Sequence, residues 1–420
     1  MKNKINLRAL LLFLAVMGPG IITANVDNDA GGIATFSVAG AHFGYSLLWT
    51  LIPITILLAM TQEMCARMGA VTGKGLSDLI RENFGVRITV FIMIGLIMAN
   101  FSTTVAEFAG IAAASQIFGI SKYVIIPIVL LVTSFFVIKS NYKTLEKIFL
   151  VMILFYVTYI ISAFYSKPDW GEVIRATLVP DFMLSAPYLF ILIGLIGTNI
   201  TPWMQFFLQS TVVEKGIKEE EYKYTKIEVW LGAIMTDLVS FFIIVTCAVT
   251  LFATGVRIND AGDAAAALAP VAGEYASILF ALGLFGAALF GAMILPISTA
   301  YSVTEGMGWE NGLNKRFKDA PEYYIIFLAI IIGAAGLVLI PGIPLIRIML
   351  ISQVINGLLL PFILIPMLKL TSNKQIMGRH VNSRLFNVGA WSGCIIVIVL
   401  ALLLALVTLF PGVENIVFRN

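Results

Sequence analysis

Apolar residues in this chain come in runs of about 20 or more, the length at which a helix crosses the hydrocarbon core of a bilayer. Short polar segments separate them. Eleven such runs are present, at about 8–40, 44–68, 87–117, 121–139, 147–165, 186–212, 227–254, 272–300, 322–341, 345–369 and 384–411. All are expected to be helices, because lipid cannot satisfy the open edge of a sheet. Runs 1, 3 and 6 are long, as tilted or broken helices are.

Composition agrees. The 420 residues are 59% hydrophobic and 12% charged, where a soluble domain carries roughly 25% charged residues. A mean hydropathy of +0.96 requires that most of the surface face lipid. The net charge of +3 is small and the basic residues form no patch, which argues against nucleic acid as a partner. Cys65, Cys247 and Cys394 are scattered and odd in number, so they form no disulfide framework. His42 and His380 are the two histidines, and no CxxC or HExxH pattern supplies a ready-made zinc site. With no nucleophile–base pair either, the sequence does not read as an enzyme. No segment points to an obligate protein partner.

The basic start and first apolar run read as a first span rather than a signal peptide. With the N-terminus placed in the cytoplasm, 21 of the 27 Lys and Arg residues fall on the inside, from Lys2, Lys4 and Arg8 to Lys369, Lys374, Arg379 and Arg384. This asymmetry predicts an integral membrane protein of a bacterial inner (plasma) membrane, with its C-terminus outside.

Two runs carry internal breaks. The first holds Asp29-Ala30-Gly31-Gly32 and the sixth holds Gly197-Thr198-Asn199-Ile200-Thr201-Pro202. Glycine relaxes a helix and proline removes a backbone donor. Broken segments at matching positions in two halves mark transporters built from inverted repeats. The expected organisation is one transmembrane transport domain over 1–420. It comprises repeat one at about 8–165, repeat two at about 186–370, and an extra helix at about 384–411.

Chemistry concentrates at these breaks. A charge at membrane depth costs about 2.5–3.5 kcal/mol on insertion scales, so such residues usually face a pathway. Asp29 stands beside the first break, either as an ion ligand or as the cap of a half-helix. Asp27 reads as a cap or a cavity-wall carboxylate as readily as a ligand. Glu107 in run 3 and Asp237 in run 7 are relay candidates or buried neutral carboxyls. Gln62 and Gln353 are neutral oxygen donors, equally suited to an ion site or to bonds between helices. Trp203 is by default a packing residue. The Gly- and Ala-rich runs 3 and 8 suggest close helix contact, and 302–320 reads as a cytoplasmic connector.

At these residues the chain resembles the NRAMP family of divalent-metal transporters. Gln62-Glu63-Met64-Cys65-Ala66-Arg67-Met68-Gly69-Ala70-Val71-Thr72-Gly73-Lys74 is similar to that family's Q-x-x-x-A-R-x-G-x-x-T-G-K. Gly18-Pro19-Gly20, Ser352-Gln353-Val354 and Leu360-Pro361-Phe362 are similar to further stretches of it. The resemblance implies an all-α membrane protein of LeuT-like fold, with two inverted five-helix repeats plus an eleventh transmembrane helix.

The departures are chemical. The family's D-P-G-N is here Asp29-Ala30-Gly31-Gly32, and its M-P-H is Thr201-Pro202-Trp203. Its D-x-x-E becomes Thr104 and Glu107, and its run-9 arginine has no counterpart between 319 and 346. This pattern resembles the NRAMP-related magnesium transporters. Loss of a thioether disfavours soft metals. An oxygen site with a carboxylate and retained waters suits Mg²⁺, and the smaller side chains leave room for a partly hydrated ion.

The resemblance implies an ion held by Asp29 and the carbonyls of Val26 and Thr198, with Thr201 and Gln353 adding oxygens and Gln62 behind them. Gly32, Trp203, Thr104, Glu107, Asp237 and Asp27 are secondary pathway candidates. The expectation is alternating-access carriage of Mg²⁺ and Mn²⁺ as cargo, with no resident cofactor, as a uniporter without proton symport. The rivals are a proton-coupled Mn²⁺/Fe²⁺ importer of the main NRAMP type and a Na⁺-coupled amino-acid symporter of LeuT-like fold.

Overall fold

A computed structural model describes residues 28–139, 158–269, 273–310 and 317–409. Among these the chain is helical and contains no strand. Its helices are α1 (Ala30–Phe43), α2 (Leu51–Thr72, entered through a 3₁₀ turn at Leu48–Thr50), α3 (Leu76–Ile117) and α4 (Lys122–Lys139). There follow α5 (Trp170–Leu178), α6 (Ala186–Asn199), α7 (Pro202–Glu214) and α8 (Tyr222–Cys247). The remainder are α9 (Ala261–Ala265), α10 (Ala276–Met307), α11 (Pro321–Leu339), α12 (Leu345–Thr371), α13 (Lys374–Met377) and α14 (Arg384–Leu409).

Eight helical stretches among the described residues are long and apolar enough to cross a membrane, and they coincide with runs 2, 3 and 6 to 11. Run 4 is the shorter apolar helix Lys122–Val137. Runs 1 and 5 lie partly outside the described residues, which hold α1 and a helical stretch at 158–165.

Burial sorts the helices by layer. In the most apolar stretch of α6–α7, 94% of residues are buried, against 28% in α14, so the broken span lies at the centre and α14 at the rim. Every residue of α1 from Ala30 to Ala41 is buried. The outer surface is the inverse of a soluble protein's: Leu131 is 70% exposed, Leu402 64% and Phe91 61%. An apolar coat that continuous is stable only against lipid. Small residues bring the inner helices together, as the run 3 and run 8 compositions suggest. Gly110 of α3 packs on Ala30 of α1 and Ala288 of α10.

Three features depart from the sequence expectation. The segment 302–320 is not all connector, because α10 continues to Met307 and ends at Gly308 in the left-handed conformation. Its polar residues satisfy themselves within the helix: Ser302 Oγ donates to the Ser298 carbonyl (2.8 Å) and Thr304 Oγ1 to that of Ala300 (2.7 Å). Second, α3 begins before its span. Gly85 has φ 79° and ψ 166°, a backbone that splits Leu76–Phe84 from the crossing that follows. Third, α5 was not anticipated. Asp169 caps it by accepting from the amides of Gly171 and Glu172, and its nine residues are too few to read as a span.

The stretch that carries the strongest family resemblance braces the bundle. Glu63 of α2 is buried and accepts from Tyr222 Oη and Trp230 Nε1 of α8, each at 2.8 Å, while Lys226 Nζ lies 3.2 Å away. Four residues on, Arg67 donates to Asn382 and lies over the Phe386 ring. Asn382 in turn donates to Thr371 Oγ1 at 2.9 Å.

Candidate functional site

The described part of the first span begins at its break. Asp29 is the N-cap of α1, with extended backbone, and its Oδ1 accepts from the amide of Gly32 at 2.6 Å. An N-cap carboxylate satisfies an orphan amide and sits at the positive end of the helix dipole. The helix starts at Ala30, so Gly31 and Gly32 are helical rather than unwound, which corrects the expectation that they relax the helix. Gly31 has a different reason to be glycine. A Cβ there would overlap the side-chain amide of Gln353, so only a bare Cα admits that amide beside Asp29. The Gly31 carbonyl accepts from Thr35 Oγ1 at 2.7 Å.

The second break matches it. Helix α6 ends at Asn199, Ile200 leaves helical geometry (φ −122°, ψ 65°), Thr201 is extended, and Pro202 opens α7. Proline at the first helical position loses no bond it would have made. The break thus turns the partly negative carbonyl end of α6 and the start of α7 toward one place. Thr198, Asn199 and Thr201 are all buried there. Asn199 Oδ1 and Thr201 Oγ1 have no partner.

Other helices close the site. Glu107 of α3 is fully buried; its Oε2 accepts from the amide of Ala30 at 3.4 Å, and its carboxyl lies against that of Asp29. A methyl group at Gly291 of α10 would occupy the space of this carboxyl. Two carboxyls in contact repel unless a proton or a cation lies between them. Gln353 of α12 accepts from Asn356 Nδ2 at 3.0 Å, and its own Nε2 has no partner. Asn356 also reaches Thr103 Oγ1 of α3 at 2.9 Å.

The structure therefore gathers Asp29, Gly31, Glu107 and Gln353 by direct contact, with Gly32 in the first turn of the same helix. Val26 and Asp27 lie outside the described residues. Gln62 is buried, but its Nε2 points at the sulfur of Met204 (2.7 Å), and its Oε1 is unpartnered. Met204 follows Thr201 by almost one turn, so a thioether persists close to the break although 201 itself carries a hydroxyl. Sequence reading missed it, because a methionine in an apolar run looks like any core residue. Thr104 is buried and bonds its own helix at Asn100 O (2.7 Å). Trp203 packs on Phe207 with ring centroids 5.7 Å apart, as a core residue does. Asp237 is not in the group: it accepts from Thr55 Oγ1 of α2 at 2.5 Å. Asn356 was also missed, although a polar side chain three residues after Gln353 in an apolar helix was a usable sign. Among the described residues no group of three or more His, Cys, Asp or Glu forms a preassembled metal cluster.

Long apolar helices around two mid-membrane breaks, with carboxyls and amide oxygens buried between them, define a membrane transporter of LeuT-like fold. Residues 20–407 match the model of the Nramp family, described as natural resistance-associated macrophage protein-like. The chain belongs to that family, whose members are transporters and not enzymes. It is 29% identical over 397 residues to the divalent metal cation transporter MntH of Erwinia tasmaniensis, covering 92% of each chain. To the protein of the same name from Bacillus subtilis it is 26% identical over 409 residues, covering 94% of this chain and 91% of that one. Among solved structures it is similar to the Eremococcus coleocola manganese transporter in complex with an aromatic bis-isothiourea substituted compound. That likeness has a TM-score of 0.78 and 21% identity, covering 96% of this chain and 88% of the other. MhsT in complex with L-phenylalanine is similar at a TM-score of 0.64 and 16% identity, covering 92% and 97%.

Proposed function

We propose that this protein carries divalent metal ions across the membrane by alternating access, with the ion centred on Asp29. The observation that supports this best is the convergence of Asp29, Glu107 and Gln353 on the paired breaks, in a chain whose relatives carry the name divalent metal cation transporter. The carbonyls of Val26 and Thr198 and the hydroxyl of Thr201 complete the proposed ligand set, with Gln62 behind it. The rocking unit is the pair of inverted repeats, about 8–165 and 186–370, with the helix at about 384–411 outside them. The N-terminus is cytoplasmic and the C-terminus external.

The cargo we infer is Mg²⁺ and Mn²⁺. The unpartnered buried atoms at the second break, Asn199 Oδ1 and Thr201 Oγ1, are hard oxygens, which suit these ions. The nearby sulfur of Met204 is engaged by Gln62. Without a histidine at 203 or an arginine in α11, we infer uniport driven by the ion gradient and the membrane potential. The potential contributes about 4.6 kcal/mol per 100 mV for a divalent ion, at roughly 2.3 per charge.

One observation favours a second reading, the proton-coupled Mn²⁺ importer. Glu107 touches Asp29 and can take up a proton that a cation displaces. Liposome uptake of Mn²⁺ with an internal pH dye separates the two. Uniport predicts Mn²⁺ entry competed by Mg²⁺ at constant internal pH. Acidification that tracks Mn²⁺ entry and disappears in Glu107→Gln would establish the coupled mechanism instead.

A further inference from the structure

We propose a second cation site between α7 and α10, a staging point for a divalent cation after it leaves Asp29; this rests on the divalent-cation reading above. A cavity of about 20 Å³ there is lined by Ser210, Thr211 and Glu214 of α7 and by Ser298, Tyr301 and Ser302 of α10. The volume is that of roughly one water-sized particle. Ser210 is 6% exposed and Ser298 0%, and neither hydroxyl has a partner. A buried hydroxyl left unpaired is costly, so two lining one small cavity call for a polar occupant between them. Thr211 and Ser302 donate to carbonyls of their own helices at 2.8 Å each, which leaves their oxygens as acceptors. Glu214 stands at the exposed mouth, on the same cavity as Tyr301.

The set is one carboxylate and several hydroxyl oxygens, with no nitrogen or sulfur. Hard divalent cations take such oxygen ligands, and the carboxylate at the mouth repels anions.

Two helices place the cavity independently. Ser210 lies eight residues past Pro202, about 12 Å along α7 from the break. Ser298 lies seven residues past Gly291, which packs on Glu107, about 10 Å along α10. Both put it on one side of the Asp29 site, toward the end of the bundle bearing Lys215, Lys218 and Lys223, the cytoplasmic end in the orientation proposed above. An ion released from Asp29 would find its next oxygen ligands there.

Anomalous scattering from crystals of the full chain soaked in Mn²⁺ tests this. We expect two Mn²⁺ positions in the wild type, one beside Asp29 and one among Ser210, Ser298 and Glu214. In Glu214→Gln and in Ser298→Ala the second is lost while the first persists, which also shows that each variant is folded. A wild type with Mn²⁺ only beside Asp29, or a second position unchanged in both variants, would overturn this site and leave the transport reading standing. No Mn²⁺ at either position would overturn both.

Discussion

At the scale of single residues, the proposed mechanism gives Asp29 two jobs that substitution can separate. Its oxygen caps α1 through Gly32, and in the proposal its carboxylate binds the cation. Asparagine keeps the cap, since Asn and Asp are near equals there, but lacks the charge. Asp29→Asn is therefore expected to fold with a melting temperature close to wild type and to lose the stabilisation that added Mn²⁺ confers. For the wild type that stabilisation is about 2.7 kcal/mol at a hundredfold excess over Kd. Gly31→Ala tests the neighbouring contact. The new methyl displaces the Gln353 amide at an overpacking cost of about 1–3 kcal/mol, and we expect Mn²⁺ affinity, read by the same thermal shift, to fall at least tenfold. Asp29 was legible in the sequence because a charge inside an apolar run stands out by itself. The need for glycine at 31 was not, because the group that forbids a side chain comes from α12, at the far end of the chain. The Gln62–Met204 contact was hidden for the same reason: spacing along one helix says nothing about which side chain of another helix it meets.

At the scale of elements, the second break depends on Pro202, which opens α7 after two non-helical residues. Pro202→Ala restores a donor and relieves the clash with the preceding turn, so α6 and α7 can approach one continuous helix. We expect equal or higher thermal stability with Mn²⁺ uptake reduced at least tenfold; uptake at the wild-type rate would show that the break is not held by proline. This element was legible because proline announces itself locally, and so were the apolar spans, whose length the bilayer sets. The end of α10 was not legible: Ser302, Thr304 and Glu305 look like a loop in sequence, yet the first two return their hydroxyls to their own helix and remain buried. The helix Leu76–Phe84 before Gly85 was also missed, because nine residues that include Ser77, Asp78, Arg81, Glu82 and Asn83 do not read as a span.

At the scale of the whole molecule, the alternating access proposed above would break contacts at the bundle ends. A contact at one end joins the loop after α7 to the connector before α14, where Glu219 meets His380 Nε2 at 2.7 Å and Arg379 Nη2 at 2.5 Å. The His380 bond, and after it the Arg379 bond, hold the Glu219 carboxyl below the ordinary glutamate value of 4.5. A carboxyl lowered on folding adds stability above its unfolded value and loses it as pH falls through the folded one. Wild type should therefore melt slightly above Glu219→Gln at neutral pH, and the gap should close as the pH drops below 4.5; a gap that widens on acidification would contradict this assignment. Exposed pairs contribute little each, so the expected gap is small. The central claim, a divalent cation bound at Asp29 on its way across the membrane, is tested most directly by Mn²⁺ uptake into liposomes holding either wild type or Asp29→Asn. The account predicts wild-type uptake that excess Mg²⁺ suppresses, and uptake by Asp29→Asn no faster than in empty liposomes. Uptake by the variant at the wild-type rate would contradict it.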